Sequence, residues 1–189
     1  MIDLKNKTLP DTVKVNGRVF KIYTDFRVWL KFNSILQNKK DITLNDLNFV
    51  FVNQVPKDDY FESLQDFFNS PSSTPIRDDT LTDTKTRIID LDEDGEYIWS
   101  SVLQQFGIDL CDTEYLHWHK FLALLNSLGS DTKIGSIMQI RSYTKKKDDF
   151  DTQAERLKSI WALPEKLSQT KIKELERKQE VVKKLLGGD

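Results

Sequence analysis

The chain has 189 residues, with 28 Lys and Arg against 30 Asp and Glu, 38% hydrophobic content, seven Gly, five Pro and one Cys. That length suits about one domain, and the composition excludes collagen-like, low-complexity and globally disordered classes. A net charge of −2 supplies no field that selects nucleic acid or an anionic membrane, and a lone cysteine excludes an intramolecular disulfide framework.

Val13 to Ile22 holds two β-prone runs around Asn16-Gly17, the strongest short hairpin signal, because both centre positions of a type I′ turn need positive φ. Thr24 then caps a predicted helix whose Val28, Trp29, Phe32, Ile35 and Leu36 share one stripe, widened by Phe26 and Leu30. A second helix is predicted from Thr43, with Leu44, Leu47, Val50, Phe51 and Val55 at helical spacing, stopped by Pro56. A third starts at Asp59 and carries Tyr60, Phe61, Leu64, Phe67 and Phe68. Residues 70–86, rich in Ser, Thr, Pro and Asp, read as a mobile insertion.

Beyond it, Ile88, Ile89 and Leu91 suggest a brief extended segment, and an acidic turn leads into a helix with Ile98, Trp99, Val102, Leu103 and Phe106, closed by Gly107. Glu114 to Leu128 is predicted as an apolar helix with Gly129 at its C′ position, and Asp131 or Thr132 caps another through Ile134, Ile137, Met138 and Arg141. These two are expected to pair antiparallel. Ala154, Leu157, Ile160 and Trp161 form one more helix, stopped near Pro164. Ile172, Leu175, Gln179, Val182 and Leu186 recur at coiled-coil spacing. That segment either folds back on its own core, fraying at Gly187-Gly188, or pairs with another chain, a homo-oligomer being one form of such pairing.

The expected class is therefore mainly α: a helical bundle of about seven or eight helices with a short N-terminal β-hairpin and an amphipathic C-terminal helix. Residues 1–164 form one helical domain, with the hairpin at 13–22 and the insertion at 70–86, and residues 165–189 form the amphipathic helix and tail. Charge is uneven: from Lys57 to Glu96 there are twelve acidic and four basic residues, and from Arg141 to Asp189 thirteen basic and nine acidic.

Chemical motifs are sparse. Asp90-Leu-Asp92-Glu-Asp94-Gly95 matches the start of a calcium-binding loop, but the twelfth position is Ser101, where a bidentate Glu is required. An acidic turn is the reading that remains. His117 and His119, two apart on a predicted helix, point about 200° away from each other and cannot share a metal ion. Cys111 reads as a small buried thiol. Glycines are scattered singly, with no P-loop and no dinucleotide fingerprint. No enzyme, cofactor or metal is expected. The four tryptophans are assigned mostly to the core, while Tyr115, Trp118 and Phe121, on more than one face of their predicted helix, offer an exposed aromatic anchor.

Several words together resemble the bacteriophage gene-product-fifteen family of long-tailed phages and prophages of Gram-positive bacteria. They are Leu9-Pro10, Thr24-Asp25-Phe26-Arg27-Val28-Trp29-Leu30, Asp92-Glu93-Asp94, Phe106-Gly107-Ile108-Asp109-Leu110, Leu116-His117-Trp118-His119-Lys120-Phe121, Asp131-Thr132-Lys133, Ile140-Arg141 and Ala162-Leu163-Pro164, in order. The resemblance implies a gene between those for the tail tube and tape measure proteins, the place of tail assembly chaperones. It further implies the tape measure protein as partner, with the tail tube protein and a second, shorter chaperone nearby, residence in the host bacterial cytoplasm, and absence from the mature virion. A structural tail component, for completion or connection, is the competing reading. Asp25, Arg27, Tyr115, Trp118, Lys120 and Arg141, with Ile172, Leu175 and Val182 of the heptad seam, are the candidate partner contacts; neither nucleic acid nor membrane is expected as a partner.

Overall fold

Asn16 and Gly17 turn the chain back on itself. In the computed structural model, which describes residues 8–39, 41–69, 87–144 and 152–164, they take φ of 46° and 81°, the two positive values a type I′ turn requires. Strand β1 (Thr12–Val15) pairs antiparallel with β2 (Arg18–Lys21), Val13 opposite Phe20. Val13 and Val15 face inward and their neighbours face out, the alternation of a half-buried strand.

Helix α1 (Phe26–Asn38) buries Phe26, Trp29, Phe32 and Asn33. Its cap is Asp25 and not Thr24: the Asp25 carboxylate accepts the Arg27 N–H at 3.0 Å. Thr24 instead shares a 2.7 Å hydrogen bond with the Tyr115 hydroxyl, a partner 91 residues away that local pattern does not reveal.

The second predicted helix is shorter and tighter than its apolar spacing suggests. Leu44–Val50 is a 3-10 helix, and Phe51 leaves it to bridge Ile22 antiparallel. The Tyr23 N–H donates to the Val50 carbonyl at 2.8 Å and the Val52 N–H to that of Lys21 at 3.1 Å. Pairing with the hairpin's flank satisfies backbone groups that another helical turn would have used internally, and Val55 lies exposed. Asp46 holds the helix start, accepting from the Thr43 N–H at 2.8 Å and hydroxyl at 2.7 Å. Helix α2 (Phe61–Asn69) follows, with Leu64 and Phe67 buried and Asp59 accepting the Phe61 N–H at 2.9 Å.

Ile88, Ile89 and Leu91 make no strand; they lead through a turn into α3 (Gly95–Phe106), closed by Gly107 in the left-handed region at φ 68°. Helix α4 (Trp118–Asn126) begins four residues later than its apolar pattern implied, because Tyr115 to His117 run extended beside the start of α1. Its C-cap is Ser127 in right-handed conformation, so Gly129 is not a left-handed C′ residue. Helix α5 (Lys133–Ser142) is capped by Thr132, whose hydroxyl accepts the Gly135 N–H at 3.2 Å. It packs on α3, while α4 packs on α1; the expected antiparallel α4–α5 pair is not the main contact. The Ile134 N–H donates to the Ser101 hydroxyl at 3.1 Å, fixing the α3–α5 approach. Helix α6 (Thr152–Ile160) buries no side chain and rests on α5, and Trp161 lies one residue past its end.

The architecture among the described residues is six α-helices, one 3-10 helix and one hairpin, mainly α as expected. An aromatic cluster joins α1, α2 and α4: Trp29 lies 4.5 Å from Phe67, Trp118 5.1 Å from Phe68, and Phe26 5.0 Å from Phe121, ring centre to ring centre. Buried indoles need a partner for their N–H; Trp29 donates to the Tyr23 carbonyl and Trp118 to that of Phe68, each at 2.9 Å. The insertion at 70–86 and the helix and tail at 165–189 lie outside the described residues.

Candidate functional site

Two helices start from one short bridge. Asp25 and His117 face each other antiparallel, with the Phe26 N–H donating to the Leu116 carbonyl at 2.8 Å and the Trp118 N–H to that of Thr24 at 2.7 Å. Each bridge residue also caps its own helix. His117 Nδ1 accepts the His119 N–H at 3.1 Å, which leaves its proton on Nε2, donated to the Pro10 carbonyl at 3.0 Å. His119 Nε2 donates to the Phe67 carbonyl at 2.9 Å. Burial lowers the pKa of both imidazoles, since an apolar setting disfavours the charged form. The histidines serve separate carbonyls, and no group of three or more His, Cys, Asp or Glu among the described residues is placed to hold a metal ion.

Arg27 builds outward from that bridge. Its guanidinium pairs with Asp25 at 3.2 Å and donates to the carbonyls of Leu110 at 3.1 Å and Thr113 at 2.5 Å, clamping the 110–113 turn against α1. Asp109 fixes the other side, accepting from Trp99 Nε1 and from the Cys111 N–H, both at 2.8 Å. The Trp99 bond, then the Cys111 one, lower the Asp109 pKa. Between α1, the start of α3 and this turn opens a pocket of about 250 Å³, lined by Phe26, Arg27, Leu30, Leu91, Gly95, Ile98, Trp99, Leu110, Cys111 and Phe121. Arg27 is the only charged side chain in that lining. Cys111 is exposed at the pocket, contrary to its reading as a buried thiol.

The candidate contact residues divide into three groups. Asp25, Arg27 and Tyr115 gather at the α1–α4 bridge, with Tyr115 56% exposed and Lys120 exposed on α4. Trp118 and Arg141 are 1% and 5% exposed; both are interior residues of the folded chain and not surface anchors. Arg141 holds Asp94 through two hydrogen bonds of 2.6 and 2.9 Å and also donates to the carbonyls of Ile88 and Trp161. Ile172, Leu175 and Val182 lie outside the described residues. The acidic run at 90–94 is a turn, as read: Asp90 accepts the N–H groups of Asp92 and Glu93, and Asp94 accepts that of Asp90. Sequence reasoning missed the pocket, since Leu91, Ile98, Trp99 and Leu110 looked like ordinary helix or turn residues and nothing in their local pattern sets them apart.

These features define a mainly helical protein in which polar residues such as Asp25 and Thr132 organise helix starts and an apolar pocket opens between α1, α3 and the 110–113 turn. A model of the family described as Bacteriophage Gp15 protein matches residues 5–163, most of the chain, and the chain belongs to that family. No curated protein and no solved structure matches it.

Proposed function

We propose that this chain is a non-catalytic tail assembly chaperone that binds the tape measure protein and keeps it soluble while the tail tube assembles. The observation that carries the reading is membership of the Bacteriophage Gp15 family over residues 5–163, joined to the gene position that the resemblance implies. The described chain suits a protein that works by contact: helices on an aromatic core, exposed Tyr115, and an apolar pocket framed by Arg27. An unassembled tape measure protein exposes long apolar seams, and a binder with modest, replaceable contacts suppresses aggregation while allowing release as tube subunits arrive. Action in the host cytoplasm and departure before the virion matures follow from that role.

Co-expression with the neighbouring tape measure gene tests it. The expected result is co-purification through a tag on this chain and a clear rise in the soluble tape measure fraction. No binding and unchanged solubility, with this protein abundant in purified particles, would overturn the reading in favour of a structural tail component.

A further inference from the structure

The pocket between α1, the start of α3 and the 110–113 turn is open, apolar and small. At about 250 Å³ it falls below the roughly 300–1,000 Å³ of typical small-molecule sites, and its one charged lining group, Arg27, is already bound to Asp25 and two carbonyls. Leu30, Leu91 and Trp99 are half-buried around it, and Cys111 is exposed at its edge. Covering that surface removes apolar area from water, which favours an aliphatic occupant over a polar one.

Exposed carboxylates stand beside the lining. Glu93 sits in the turn between Leu91 and Gly95, Glu96 follows Gly95 in α3, and Asp112 follows Cys111. Among the described residues none of the three enters an ion pair. Asp92, also exposed, meets the neutral Asn38 amide at 3.3 Å, and Lys31, the next cation along α1, lies 4.4 Å over the Phe49 ring. An apolar floor with an acidic rim is the complement of an aliphatic stripe edged by Lys and Arg, since complementary potentials select and orient a partner. The backbone of the turn is engaged as well: Arg27 holds the Leu110 and Thr113 carbonyls, and Asp109 holds the Cys111 N–H. An extended peptide needs such groups for its own N–H and C=O, whereas a helix pairs its backbone internally and brings side chains alone.

We propose that this pocket is the docking site for a helix of another protein that carries an aliphatic stripe edged by Lys and Arg. Its aliphatic side chains enter beside Leu30, Ile98 and Trp99, and the flanking cations pair with Glu93, Glu96 and Asp112. Exposed pairs of this kind set encounter and specificity more than strength, so the contact is modest and releasable. The assignment deepens the chaperone reading by giving it a face and a partner chemistry, and it rests on that reading only for the natural source of the helix.

Cys111, the only cysteine in the chain, reports occupancy. Maleimide labelling of the full-length protein is timed with three synthetic helices of about five turns. One has leucines at i, i+3, i+4 and i+7 with lysines beside them, one has glutamates in place of the lysines, and one has the first composition scrambled so that no stripe forms. At one fixed excess, the leucine–lysine helix is expected to slow labelling about fivefold or more, and the other two less than about twofold. Changing Glu93→Gln, Glu96→Gln and Asp112→Asn together removes exposed charges that pair with no cation in the fold. The triple variant should bind the leucine–lysine helix about fivefold or more weakly at low salt, with the difference closing as salt is raised. Equal protection by the lysine helix and either control, no protection by any helix, or unchanged affinity in the triple variant overturns the proposal. Labelling that slows as the protein is concentrated without peptide gives the face to a second copy and overturns it too. A chain that co-purifies with the tape measure protein while no helix protects Cys111 keeps the chaperone reading and loses this site; protection without tape measure binding keeps the site and loses that reading.

Discussion

Arg141 and Asp94 form a two-point ion pair in the interior, with Nη1 and Nη2 at 2.6 and 2.9 Å from the two carboxylate oxygens. Asp94 stands at the start of α3 and Arg141 near the end of α5, so one pair joins two helices 47 residues apart in sequence. The same guanidinium reaches the carbonyls of Ile88 before α3 and Trp161 after α6. A buried pair whose guanidinium also bonds two carbonyls avoids the orphaned charge that makes such pairs costly.

Arg141→Ala leaves the Asp94 carboxylate buried without its cation. Urea unfolding should show a loss of about 3–5 kcal/mol, while the double variant Asp94→Leu with Arg141→Met should recover a large part of it. Equal losses in the two variants would refute an electrostatic cause.

Asp25→Ala removes the cap of α1 and the partner of Arg27. The expected cost is about 1–2 kcal/mol. Asp25→Asn keeps an acceptor for the Arg27 N–H and should lose well under half of that, as read by chemical denaturation of both variants.

His117 and His119 make stability depend on pH. Burial lowers both folded-state pKa values below the ordinary 6.5, so between the folded pKa and 6.5 the unfolded chain binds more protons than the native one. Stability is then complete above about pH 6.5 and falls as pH drops below it, each histidine contributing at most about 1.4 kcal/mol per pH unit. His117→Asn retains a capping side chain but cannot titrate. Denaturation midpoints between pH 5 and 7.5 should therefore show a shallower slope in that variant, with the remainder due to His119.

Gly135 meets the backbone of another turn. A Cβ built there would lie 2.1 Å from the Gly129 carbonyl oxygen, a contact that only a shift of α5 relieves. Gly135→Ala should cost about 1–3 kcal/mol. Gly95→Ala, where a Cβ meets nothing within 4 Å, should be neutral or slightly stabilising, given the better helix propensity of Ala. Thermal melts of the two variants compare the sites directly.

Local physics was readable in the sequence wherever a few neighbouring residues decide the backbone. Asn16-Gly17 dictated its turn through positive φ, Gly107 its left-handed helix end, Thr132 its cap through a hydroxyl three residues from the N–H it accepts, and the aromatic stripes of α1 and α2 their buried faces. The acidic word at Asp90 forms the turn its sequence suggested, with Asp90 and Asp94 accepting nearby backbone N–H groups. Tertiary structure alone decided the features that rest on distant partners. Phe51 left its helix because Ile22 paired with it; α4 began late because Leu116 and His117 spent their backbone groups on the start of α1. Arg141 and Trp118 looked like surface contacts and became interior ones because Asp94 and the Phe68 carbonyl were there to receive them. The pocket likewise rests on distant partners, Arg27 bonding the Leu110 carbonyl 83 residues away and Phe26 stacking on Phe121. Turns, caps and periodicity are set by torsions and neighbours within about one helical turn, whereas burial of a charge or the choice of a backbone partner depends on which groups the whole fold brings within hydrogen-bonding distance.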